Sequence, residues 1–296
     1  MRGQLVPFDD NRVDVGGVDD RRGRGGGLGR SPIALSGGGV GIVGIVLFLL
    51  VNVLGGSTTG LVPDSADVQG STETIEQLRT RCNASGAIDQ YDDCYVIKSY
   101  NEINEVWAKQ LDGYTQPRLV FFEQVPQTGC GTASSEVGPF YCPADQSVYF
   151  DLGFLAQLQR DFGAEGRYAQ SYIVAHDVGH HLQNLLGTER EVRQLAQSDS
   201  SREQALGIGL ELQADCYAGV WSTLANQAGN FSISTADLDE ALGAAAAVGD
   251  DRIQQRTQGR VNPESWTHGS SQQPHDWFMR GYQTGDMTQC TSVPLG

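Results

Sequence analysis

Residues 33–54 (IALSGGGVGIVGIVLFLLVNVL) form an apolar run inside a longer stretch, 31–63, that carries no charged side chain. At the α-helical rise, 22 residues extend about 33 Å, enough to span the hydrocarbon core of a bilayer. This predicts one N-terminal transmembrane helix. Residues 1–32 before it, with DDRRGRGGGLGR, are glycine- and charge-rich and read as a disordered cytoplasmic tail, and residues 55–72 read as a flexible linker. Further on the pattern changes. Residues 74–82 and 101–111 have helical spacing, the second with Ile103, Val106, Trp107 and Leu111 on one face. Two short apolar runs, 118–123 (RLVFFE) and 147–151 (SVYFD), read as strands on either side of a Gly/Pro-containing loop at 129–142. Helical patterns then cover 172–187, 202–227 and 236–248, and a turn-rich loop with a short aromatic helix occupies 262–285. Residues 73–296 therefore predict an α+β domain, mostly helical with a small sheet.

Charge and cysteine usage place that domain. Arg21, Arg22, Arg24 and Arg30 precede the apolar run and the next basic residue is Arg79, so the positive-inside rule puts the N-terminus in the cytoplasm and the C-terminal domain outside the cell membrane, extracellular or periplasmic. Six cysteines suit an oxidising compartment. Proximity favours Cys82 with Cys94 and Cys130 with Cys142, leaving Cys216 and Cys290 for a long-range bridge, although six cysteines allow 15 pairings. A net charge of −16 argues against nucleic acid as a partner, because phosphate neutralisation needs clustered Lys and Arg.

Three of the five histidines fall within 172–187, YIVAHDVGHHLQNLLG. At about 100° per residue, His176 and His180 stand about 40° apart on one helix face, whereas His181 is turned about 140° from His176. Two imidazoles one turn apart can hold a single Zn²⁺, and the residue after the first sits where a carboxylate could take a proton from water. Here that residue is Asp177, in a run that otherwise approaches the H-E-x-x-H signature. Val174, Val178, Leu182 and Leu185 form a separate stripe for packing, and Gly187 supplies a helix stop. In the next helix Glu211 and Asp215 are again one turn apart, which suits Glu211 as third ligand and Asp215 as the group that orients His176. Cys216, beside them, suits a disulfide better than a zinc thiolate. His268 and Tyr282 are candidates for steadying an oxyanion.

The blocks GPFYCPADQSVYFDLGF, AHDVGHHLQNLLG, ELQADCYAGVW and WTHGSSQQPHDWFMRGYQTGD occur in this order. Together, over residues 77–290, they resemble the neutral zinc metallopeptidase family of bacterial membrane-anchored proteins. The resemblance implies a zincin-like fold, zinc on His176, His180 and Glu211, and a base at position 177, where this chain has aspartate in place of the family's glutamate. It points to a membrane-anchored peptidase acting on a peptide or protein substrate, with residues 33–54 as its contact with the membrane. The shorter Asp177 side chain supplies the alternative, a catalytically weak or inactive zinc-loaded pseudopeptidase that binds a peptide or protein partner. If Asp177 were a fourth ligand, the zinc would be structural.

A reporter fused after Gly296 should be active only when exported; activity in the cytoplasm would overturn the placement of the domain.

Overall fold

The computed structural model describes residues 8, 12–23, 73–123, 126–132, 138–153, 167–229, 231–247, 270–291 and 293. The apolar run at 33–54, the linker at 55–72 and His268 lie outside the described residues. Among the described residues no helix is long and apolar enough to cross a membrane.

Strands β1 (Val18–Asp20), β2 (Arg118–Phe121), β5 (Phe140–Cys142) and β6 (Ser147–Phe150) form one sheet in the order β1-β2-β6-β5, and β3 (Gln127–Thr128) pairs with β4 (Gly131–Thr132) beside it. β1, β2 and β6 are parallel and β5 is the antiparallel edge. The apolar run of 118–123 does not alternate with polar residues because both faces of β2 are covered. Leu119 and Phe121, with Val148, Phe150 and Tyr141, face the helices. Val120 and Phe122, with Tyr149 and Cys142, form a second small core with Cys130 and Phe140.

Helix α1 (Ile75–Cys82) starts at a capping box between Thr74 and Gln77 and is followed by the single turn α2 (Ala87–Gln90). Helix α3 (Asp92–Gln110) begins well before the predicted residue 101. Its first half is buried on all sides, from Asp93 to Tyr100, so no amphipathic period marks it. Helices α4 (Arg167–Leu186) and α6 (Glu203–Ala228) carry the histidines and carboxylates singled out above, and α5 (Thr188–Ser198) joins them after a turn at Gly187, whose φ of +82° suits glycine. Helix α7 (Thr235–Ala247) follows, and α8 (Gln272–Thr284) lies against α6. A Cβ at Gly219 or Gly281 would run into the backbone of the opposite helix, so α6 and α8 touch main chain to main chain. Disulfides join Cys82 to Cys94, Cys130 to Cys142 and Cys216 to Cys290, with no free cysteine.

Residues 12–23 correct the expectation of a disordered tail. β1 extends the sheet through the pairs Val18 with Leu119 and Asp20 with Phe121. Asn83 and Asn101 each clasp the backbone of this segment, at Val13 and Asp14, with one bond given and one accepted at 2.8–3.0 Å. Arg22 lies between Asp20 (2.6 Å) and Asp93 (2.9 Å), and Arg81 also binds Asp93 (2.7 Å). Burial pushes the Asp93 carboxyl upward in pKa, but the bonds and charges of Arg81 and Arg22 outweigh this and hold it below the usual range. Val13, Val15 and Phe8 are buried, Phe8 against Tyr95 and Phe231. At about 1.5–3 kcal/mol each, these three side chains matter against a domain stability of about 5–15 kcal/mol. The segment escapes pattern reading because its apolar residues are single valines among glycines and charges.

Phe8→Ala should cost about 3–5 kcal/mol in urea unfolding of the oxidised protein. An unchanged midpoint would mean that the segment is a free tail.

Candidate metal centre

Helices α4 and α6 come into close contact where Gly179 meets Ala214: a Cβ at Gly179 would lie 2.9 Å from the Ala214 Cα. This contact is flanked by His176 and His180 on one helix and by Glu211 and Asp215 on the other. His176 Nε2 is 3.2 Å from His180 Nε2 and 3.3 Å from Glu211 Oε2, and His180 Nε2 is 3.5 Å from the same oxygen. Bonds of about 2.0–2.1 Å at tetrahedral angles would set ligand atoms about 3.3–3.4 Å apart. The triangle therefore fits Zn²⁺.

Hydrogen bonds on the far sides of the rings fix which nitrogens face inward. His176 donates through Nδ1 to Asp215 Oδ1 (2.9 Å), which also accepts from the Tyr172 hydroxyl (2.5 Å). His180 donates through Nδ1 to Gln183 Oε1 (2.9 Å), and Gln183 gives its Nε2 to the carbonyl of Leu210 on α6 (2.7 Å). Since a carboxylate and an amide oxygen can only accept, both Nδ1 atoms carry the protons and both Nε2 atoms present lone pairs. In those tautomers two ring lone pairs and a carboxylate oxygen converge within 3.5 Å, an arrangement that takes up either a proton or a metal cation. The field is consistent with this: burial alone would depress His176, yet the charge and hydrogen bond of Asp215, then Glu211, raise its pKa well above the usual range, and Glu211 raises His180 in the same way. A pocket that draws protons this strongly also draws metal. The two imidazole side chains remain 16% and 15% exposed.

Asp177 is placed differently. It is 2% exposed, and its Oδ2 is buried with no hydrogen-bond partner among the described residues. His176, His180 and Glu211 hold ligand atoms within 4.8 Å of one another, and no Asp177 oxygen joins that cluster, so Asp177 is not a fourth member. Burial pushes its carboxyl up to about 7, against the opposing pull of His176 and His180. Cys216 is tied to Cys290 and does not offer a thiolate. Tyr282 stacks on Phe278, and its backbone abuts Gly219, roughly 12 Å along α6 from Glu211.

His181 serves the other face of α4. Its Nε2 donates to the Thr115 carbonyl (2.6 Å) and its Nδ1 accepts from Tyr141 (2.9 Å), whose oxygen also accepts from Asn184 (3.0 Å). It ties the edge strand β5 and the approach to β2 onto the helix that carries the ligands. Sequence reasoning missed Tyr172 and Gln183, although Tyr172, His176, His180 and Gln183 follow one helical stripe that could have pointed to them.

The chain matches the family model described as "Putative neutral zinc metallopeptidase" over residues 1–293. It is 41% identical over 288 residues to "Uncharacterized protein YpfJ" of Escherichia coli strain K12, which covers 95% of this chain and 96% of that protein. It is 47% identical over 220 residues to "Uncharacterized protein Rv2575" of Mycobacterium tuberculosis strain H37Rv, covering 71% of this chain and 74% of that protein. No solved structure matches it.

His176→Ala, His180→Ala and Glu211→Ala should each abolish stoichiometric zinc binding. Asp215→Asn and Gln183→Ala should weaken it about 10- to 100-fold in a chelator competition titration. Full retention by any of the first three would exclude that residue as a ligand.

Proposed function

This chain belongs to the neutral zinc metallopeptidase family, and we propose that it is a zinc-dependent peptidase hydrolysing peptide bonds outside the cell membrane. The observation that carries this reading is the convergence of His176 Nε2, His180 Nε2 and Glu211 Oε2 at the edge lengths of a tetrahedron, with no fourth His, Cys, Asp or Glu in the group among the described residues. A closed four-ligand site would support a structural metal; three ligands leave room for substrate and water.

His176, His180 and Glu211 would hold the metal, while Asp215, Tyr172 and Gln183 hold the rings in their ligating tautomers. Bound zinc supplies Lewis acidity, which acidifies water and polarises a carbonyl oxygen. Asp177 would receive the proton of the attacking water and pass it to the leaving amine. Its pKa of about 7 matches a group that must accept and release protons near neutrality. His268 is kept as a candidate for steadying the oxyanion.

A second reading has a specific observation behind it. An aspartate carboxylate is one C–C bond, about 1.5 Å, nearer the backbone than a glutamate's, and that of Asp177 stays outside the ligand cluster. Misplacement by about 1 Å can cost about 10²-fold in rate. A chain with intact ligands and a short base could keep its metal and its cleft and bind a peptide or protein without cutting it.

The zinc-loaded chain, assayed on casein and on a peptide library, separates the two. Under the peptidase reading Asp177→Ala keeps its zinc and loses turnover, and Asp177→Glu cleaves faster than the original chain. If the original chain and Asp177→Glu are both inert while zinc stays bound, the binding reading stands. Loss of zinc in Asp177→Ala would make Asp177 a ligand and remove it as the base.

A further inference from the structure

The β1 segment is held in the domain by more than its ladder with β2. Beyond the ladder with β2, the Leu119 amide donates to the Gly17 carbonyl and the Arg21 amide to the Phe121 carbonyl, both at 2.9 Å. Lys98, almost fully buried, donates to the Arg12 carbonyl at 3.2 Å and lies over the Phe8 ring. The Arg22 guanidinium lies over the Phe121 ring and, through Asp93, contacts the same carboxylate as Arg81, one residue before Cys82. Asp93 itself precedes Cys94, the partner of Cys82. The segment thus sits directly on a disulfide.

Side chains and strands that share hydrogen bonds share a compartment. A single membrane crossing anywhere between residues 23 and 73 would put β1 on one side and β2 on the other. We propose that residues 8–23 and the domain of residues 73–291 lie on the same side of the cell membrane, the oxidising side on which the three disulfides form, and that the chain between them makes no single crossing. The apolar run 33–54 has the length of one helical span and too few residues for two, at roughly 20 residues each.

Arg21 is paired with Asp19 at 2.9 Å, and Arg22 with Asp20 and Asp93, so two of the six arginines before the apolar run are held in ion pairs within the fold.

The test uses the full chain in bacterial spheroplasts. Asp14→Cys and, as an independent placement, Arg12→Cys put a thiol on exposed positions of the segment, and Lys109→Cys puts one on the outer face of α3. Each is treated with a membrane-impermeant maleimide before and after lysis, with zinc content as the check on folding. Labelling of all three before lysis, to within about twofold, is the expected result. Protection of Asp14→Cys and Arg12→Cys until lysis, while Lys109→Cys labels in intact spheroplasts, would overturn it. Protection of all three until lysis would overturn the assignment to the oxidising side.

Discussion

Everything at the candidate centre depends on the near-contact of two helix backbones at Gly179 and Ala214. The four functional side chains lie on two helices separated in sequence, and a carboxylate on α6 reaches imidazoles on α4 only if no side chain holds the helices apart. Gly179 lies between the two ligating histidines. The same helix pair shares a second link, Gln183, which binds His180 with one end of its amide and the Leu210 carbonyl with the other. Behind α6 the construction repeats: Gly219 and Gly281 let α8 approach to main-chain contact, and the Cys216–Cys290 disulfide anchors that side next to Asp215. Helix α6 is thereby clamped between α4 and α8 with Glu211 aimed at the histidines.

The electrostatics of the centre follow from burying acceptors together. Asp215 is 2% exposed and takes two donors, Tyr172 and His176, so its charge is directed through the ring toward the ligating nitrogen. Glu211, 4% exposed, faces the two ring nitrogens at 3.3 and 3.5 Å. Such an arrangement costs free energy by itself and is repaid when a dication enters, so metal binding and the stability of the α4–α6 pair are linked. Asp177 stands apart from this set. Its buried oxygen without a donor explains the upward pull on its pKa, and its short reach is the one feature of the centre that weighs against catalysis.

The sheet contributes position more than chemistry. Its edge strand β5 is held to α4 by Tyr141, His181 and Asn184, so the third histidine of the run, which looks like a spare ligand, fastens the ligand helix to the scaffold. At the opposite edge β1 brings the N-terminal segment into the same body through Asn83, Asn101 and the Arg22–Asp93–Arg81 group. The two edges thus serve different ends, one steadying the centre and the other joining the N-terminal segment to the domain.

The sequence by itself determined what is local. The spacings His176 to His180 and Glu211 to Asp215 place each pair on one helical face whatever the rest of the chain does, and the helices read at 172–187 and 202–227, the turn at Gly187 and the apolar strands at 118–123 and 147–151 followed from period and composition, whereas α5 did not. Twelve-residue spacing also made the two short disulfides the simplest pairings, as the structure has them. Tertiary structure decided what depends on distance between elements. It brought Glu211 to within 3.5 Å of both imidazoles, turned Gln183 and Tyr172 into orienting groups and kept Asp177 out of the cluster. The start of α3 was illegible because a helix buried on all sides has no polar face to mark its period. The strand at residues 18–20 was illegible for a related reason: three residues carry too little pattern to be recognised, and only a partner strand a hundred positions later gives their backbone groups somewhere to go.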